Sequence, residues 1–131
     1  MKIILVDAVD CFIIKKEEKF EIFQDMYKLL EEYSNKKIIL TGASDDKWKL
    51  FGLDKMPYEV FTLKHNPEKI DPEYYNILLG KFSLKKEDVI YFEHNADAVK
   101  SAKSIGIETY YYDNDKKDLA GLKKFMDDNL E

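Results

Sequence analysis

Short apolar runs alternate with longer amphipathic segments along the whole chain. Ile3 to Val6 has no polar interruption, which is the pattern of a strand covered on both faces. Lys37 to Leu40, Tyr58 to Leu63, Val89 to Phe92 and Thr109 to Tyr112 read as four further strands. From Glu17 to Ser34 the apolar positions Phe20, Phe23, Met26, Tyr27, Leu30 and Tyr33 recur at three- and four-residue steps, so this segment is predicted to be a helix. Ser44 before Asp45 and Asp46 reads as the cap of a short helix, with acids at its positive end. Asp71-Pro72-Glu73 is a strong helix start, with Tyr75, Leu78 and Leu79 as the apolar face. Ala96 to Ser104 forms the next helix, closed by Gly106, and Leu119 to Leu130 the last. Strands alternating with helices mean βαβ units. The predicted architecture is therefore one α/β domain over residues 1–131, a five-stranded parallel sheet between helices.

Composition narrows the partners. A formal net charge of −5 argues against a general nucleic-acid or membrane-surface binder, because phosphate backbones and anionic lipids need basic patches. It leaves room for a small anionic ligand held by a few local groups. Cys11 is the lone cysteine, so no intrachain disulfide forms and a reducing cytoplasm is the expected location. No stretch approaches the roughly 20 apolar residues of a membrane span. The N-terminal run is too short for a signal-peptide core and is interrupted by Asp7.

The chemistry gathers at strand ends. Asp7, Thr41 and Glu93 each follow directly on a predicted buried strand, so all three project onto one edge of the sheet. Ligands in such sheets bind beyond the carboxyl ends of the strands, near the point where strand order reverses. An unpartnered buried carboxylate is costly, which favours a site over a core role for Asp7. Cys11 reads as small core filler.

In this arrangement the chain resembles the haloacid dehalogenase-like (HAD) superfamily. The stretch that carries most of the resemblance is KIDPEYYNILLGKFSLKKEDVIYFEHNADAVKSAKSIGI, Lys69 to Ile107, with Asp7 and Thr41 upstream of it. The resemblance implies a Rossmann-like core in which Asp7 attacks phosphorus and forms an aspartyl-phosphate that water then hydrolyses. It implies that Thr41, Gly42 and Lys69 hold the phosphoryl group, with help from the amide of Ala43. Lys64 competes for the lysine role, but Asp71-Pro72 stands at the expected offset from Lys69. The resemblance further implies a Mg²⁺ between Asp7, the main-chain carbonyl of Val9 and an acid after the fourth strand. Almost no chain is left for a cap. Family members without one act on macromolecules or borrow a neighbour's surface, so phosphorylated macromolecules, small phosphorylated molecules and an oligomer all stay open.

Three positions depart from the family pattern. Its phosphatases carry an acid two residues after the nucleophile as general acid and base; here that residue is Val9, which carries no proton. Asp10, one position later, is the candidate substitute. The second acid of the metal pair is replaced, leaving Glu93-His94. An imidazole there suits Mn²⁺ or another divalent transition metal better than Mg²⁺, or else His94 points away from the ion. Ile70 stands where Pro follows the lysine. Metal-dependent phosphatase is the leading expectation. A HAD-derived binding or scaffold module is the alternative. A dehalogenase and a receiver-type signalling domain rank below, the latter because Leu63 is followed by Lys64-His65-Asn66, with no acid.

Overall fold

Every residue of Lys37–Thr41 and Val89–Glu93 is buried, and so are the last four residues of Ile3–Asp7, which is why these runs lack polar alternation. In the computed structural model, which describes residues 1–130, they are strands β1 (Ile3–Asp7), β4 (Lys37–Thr41) and β6 (Val89–Glu93). With β5 (Glu59–Thr62) and β7 (Glu108–Tyr111) they form one parallel sheet in the order β5-β4-β1-β6-β7. The predicted sheet is thus present. Strand order reverses at β1, because the chain builds outward to β4 and β5 on one side and to β6 and β7 on the other.

Side-chain alternation splits the core into two layers. Ile4, Val6, Ile39, Ile90 and Phe92 face α1 (Gln24–Leu30) and α5 (Leu119–Asn129). Leu5, Ile38, Leu40 and Tyr91 face α3 (Pro72–Lys81), with Ala102 of α4 (Ala96–Ile105) in the same layer. Asp71 caps α3 by accepting the Glu73 amide at 2.9 Å, and Pro72 opens the helix. Gly106 closes α4 at φ 99°, a conformation that only a residue without Cβ adopts cheaply. A short α2 (Asp45–Trp48) follows β4, as predicted.

The helix expected over residues 17–34 is corrected. The chain instead makes an antiparallel hairpin, β2 (Ile13–Lys16) and β3 (Lys19–Ile22), before a shorter α1. Ile13 and Ile14 are β-branched, and Lys19-Phe20-Glu21-Ile22 alternates exposed and half-buried residues, a period of two. Phe20 shares that alternation with Ile22, whereas Phe23 lies past the strand as the residue before α1, so their helical spacing spans two elements. This hairpin is the only extra structure between β1 and β4, so the absence of a large cap agrees with expectation. No helix among the described residues is long and apolar enough to cross a membrane.

Glu17 and Glu18 form the two-residue hairpin loop, with φ at 50° and 68°. Such loops favour Asn-Gly because both residues take positive φ, which costs a side-chain-bearing residue about 1 kcal/mol. Replacing Glu17-Glu18 by Asn-Gly is expected to stabilise the protein by about 1 kcal/mol. Urea denaturation measures it, and an unchanged midpoint would count against this turn geometry.

Candidate functional site

Residues two apart on a strand share a face, so Asp7 continues the row of Leu5 and Glu93 that of Tyr91. Both rows look toward α3, and Lys69 lies just before that helix. The three side chains therefore meet above the reversal point of the sheet. Lys69 Nζ lies 2.5 Å from Asp7 Oδ1, 2.8 Å from Glu93 Oε1 and 3.2 Å from the carbonyl of Leu40. Asp7 and Glu93 are almost wholly buried, and the lysine is held in place through α3. Tyr75 Oη donates to the Lys69 carbonyl at 2.8 Å, and Tyr74 Oη donates to that of Thr41 at 2.8 Å.

His94 closes the other side. Its Nδ1 lies 2.5 Å from Asp7 Oδ2 and 3.3 Å from Glu93 Oε2, while its main-chain N–H points at Asp7 Oδ2 from 3.3 Å. Cys11 donates its S–H to the same oxygen across 3.2 Å. Tyr91 donates its hydroxyl to Glu93 Oε1, and the Asn95 main-chain N–H donates to Oε2 at 3.0 Å.

The electrostatics follow from this wiring. Burial pushes Asp7 upward, and the adjacent Glu93 charge adds to that, against the pull of Lys69. Burial would also raise Glu93, but the Lys69 charge and the hydrogen bond from His94 outweigh it and hold Glu93 well below the ordinary carboxylate range. Burial disfavours charge on Lys69, yet Asp7 and Glu93 keep it firmly protonated. Hydrogen bonds to Asp7 and then to Glu93 raise His94 to about 10. Burial, followed by the Asp7 charge, raises the Cys11 thiol.

A cavity of about 240 Å³ opens onto this cluster. Asp7, Val9, Thr41, Gly42, Lys69, Glu93 and His94 all line it, as do His65, Glu68 and Asn95. Gly42 has no side chain to fill it: a Cβ there would sit 3.2 Å from His65 Nδ1. Thr41 Oγ1 accepts the Ala43 amide at 3.1 Å. Lys64 is elsewhere, on the surface, paired with Asp45 at 3.2 Å. Asp10 does not line the cavity. It takes φ 72° and its carboxylate lies 3.7 Å from His94 Nε2, so it reaches the site only through that ring.

Cys11 is fully buried, as core filler would be, but it also touches Asp7, which its sequence position did not disclose. Asn95 does carry a sequence signal, as an Asn directly before the Ala96 helix: it caps α4, accepting the Asp97 and Ala98 amides at 2.9 and 3.2 Å. Tyr91 was legible as a strand residue two before Glu93. His65 and Glu68 come from a loop and carried no periodic signal.

Asp7, Cys11 and His94 offer three ligand atoms within 4.8 Å of one another. One oxygen, one sulfur and one nitrogen do not fit the oxygen shell that Mg²⁺ requires; they are closer to a transition-metal set.

His94 gives a pH prediction. Its protonated form gains contacts in the folded state that it lacks when unfolded, raising it from 6.5 to about 10. That stability is complete below the ordinary histidine value and is lost as pH rises toward about 10. Thermal melts from neutral pH to about pH 10 are expected to decline more steeply in the wild type than in His94→Gln. Parallel curves would show that the ring contacts contribute nothing.

No family model matches the chain, and no curated protein does. Solved structures do. A HAD family enzyme from Bacteroides thetaiotaomicron, in complex with magnesium and inorganic phosphate, superposes with a TM-score of 0.74 at 13% identity, over 93% of this chain and 98% of that one. A Thermotoga maritima protein bearing the name beta-phosphoglucomutase gives 0.62 at 15% identity, over 85% of each chain. The core domain of a Streptococcus pneumoniae protein named for phosphoglycolate phosphatase gives 0.58 at 16%, over 96% and 95%.

Proposed function

On the haloacid dehalogenase-like fold that this chain carries, we propose a phosphoryl hydrolase that works through an aspartyl-phosphate at Asp7. The observation that carries the reading is a single cavity onto which Asp7, Thr41, Gly42 and Lys69 all open at the reversal point of the sheet. An Asp7 oxygen attacks phosphorus, the ester oxygen leaves, and water then releases phosphate from the acyl-phosphate. Lys69, Thr41 and Gly42 line the cavity where charge builds on the phosphoryl oxygens, while the Ala43 amide is already spent on Thr41 Oγ1 at 3.1 Å.

The residue types around Asp7 limit what it can act on. Val9 lines the cavity where the phosphatases of this fold place a proton donor, and Asp10 is outside the cavity. Without a positioned acid the leaving oxygen departs as an anion, so substrates with good leaving groups are favoured: aryl or acyl phosphates over alkyl esters. No large cap encloses the cavity, which leaves both small phosphorylated molecules and phosphorylated side chains of macromolecules within reach. The single buried thiol suits the reducing cytoplasm.

Hydrolysis of an aryl phosphate is expected to vanish in Asp7→Asn, and a simple alkyl phosphate is expected to react at least about 100-fold more slowly than the aryl ester. Released phosphate measures both. Turnover that survives Asp7→Asn would overturn the aspartyl-phosphate. Equal rates on the two esters would mean that a proton donor is present after all. A folded wild type inert to every phosphate ester would favour the second reading, a binding module, whose support is that both Asp7 oxygens are already engaged by Lys69, His94 and Cys11.

A further inference from the structure

The four carboxylate oxygens of Asp7 and Glu93 are all occupied by hydrogen-bond donors. Lys69 takes Asp7 Oδ1 at 2.5 Å and shares Glu93 Oε1 with the Tyr91 hydroxyl. The Asn95 main-chain N–H takes Glu93 Oε2 at 3.0 Å. Asp7 Oδ2 receives the Cys11 thiol at 3.2 Å and the His94 main-chain N–H at 3.3 Å. The remaining gap between Asp7 Oδ2 and Glu93 Oε2 is filled by one atom, His94 Nδ1, at 2.5 and 3.3 Å.

A divalent ion held by these two carboxylates needs lone pairs that point at it, about 2.0–2.6 Å away. It also needs its own volume. Here an imidazole nitrogen stands at hydrogen-bond distance from both acids, so ion and ring cannot share the place. Nor can His94 Nδ1 and Asp7 Oδ2 ligate one ion as they stand: ligand atoms about 2 Å from a tetrahedral centre lie more than 3 Å apart, and these are 2.5 Å apart. The ammonium group of Lys69 adds to this: it stands 2.5 Å from Asp7 Oδ1 and 2.8 Å from Glu93 Oε1, so the two acids already share one cation.

We infer that the His94 imidazole stands in for the divalent cation against Asp7 and Glu93, and that the site operates without a bound metal. The inference rests on the reading of Asp7 as the reacting carboxylate. In that role His94 is a positioning residue: it fixes the Asp7 carboxylate from the side opposite Lys69. The loss of a second acid at position 94 and the engagement of every facing oxygen are then one device.

The test is metal uptake by the intact wild-type chain and by His94→Asp, which needs no turnover. Free Mn²⁺ is followed by its electron paramagnetic resonance, and Co²⁺ by its visible spectrum and by thiolate charge transfer. The wild type is expected to leave the Mn²⁺ signal undiminished, to give no Co²⁺ spectrum, and to melt at the same temperature with or without either ion. His94→Asp, which replaces the ring by a third carboxylate, is expected to quench the Mn²⁺ signal and to melt several degrees higher with Mn²⁺ or Mg²⁺ than without. Wild-type uptake of Co²⁺, with a Cys11 thiolate band, would overturn the inference in favour of a transition-metal centre. A folded His94→Asp that leaves Mn²⁺ free would also overturn it, since the ring would not be what fills the place. If His94→Asp does not fold, the wild-type titrations alone decide. Should the wild type hydrolyse an aryl phosphate, that turnover is expected to persist in excess EDTA, and its loss there would overturn metal-free operation. Absence of turnover altogether would count against the hydrolase and leave the uptake result standing.

Discussion

Lys69 reaches across from the start of α3 to two buried carboxylates that belong to neighbouring strands. Asp7 and Glu93 could not both stay ionised side by side in the sheet without a cation between them, because burying one unpaired charge already costs several kcal/mol. The ammonium group therefore does more than line a cavity. It fixes where the ends of β1 and β6 sit relative to α3. Tyr74 and Tyr75 reinforce that placement, and each satisfies a strand-end or loop carbonyl with its hydroxyl. The aromatic layer beneath the site, with Tyr74, Tyr75 and Tyr91 in edge or tilted contact, thus serves packing and polar satisfaction together.

Around this bridge the site is built by substitution within a familiar frame. The fold superposes on that of a solved structure that holds magnesium and inorganic phosphate. At two positions the chain departs from the pattern of the family its sequence resembles, and the two departures have different physical consequences. Val9 gives the cavity an apolar wall where that pattern has an acid, which bears on the leaving group of the proposed reaction. His94 offers a nitrogen that pairs with Asp7 and Glu93 where that pattern has a carboxylate, which bears on the cation. Asp10 is linked to the second change rather than the first, because its carboxylate approaches only the outer nitrogen of His94.

The sequence alone determined the layers of this protein. Uninterrupted apolar runs required strands covered on both faces, and the caps at Asp71 and Gly106 set helix ends by local chemistry. The apolar runs by themselves put Asp7, Thr41 and Glu93 on one edge, whereas the preference for Lys69 over Lys64 rests on the family resemblance, through the offset from Asp71-Pro72. Where residues at a helical spacing belong to two successive elements, as Phe20 and Phe23 do, the sequence is ambiguous between one long helix and a hairpin followed by a shorter one. Only the tertiary structure decided what faces what. The tight reversal after β1 turns Cys11 back onto Asp7 and carries Asp10 out of the cavity. Whether His94 pointed toward Asp7 or away was undetermined by its position in the chain. A side chain at a strand end is free to turn either way until the charges around it are assembled, and those charges come from three separate segments.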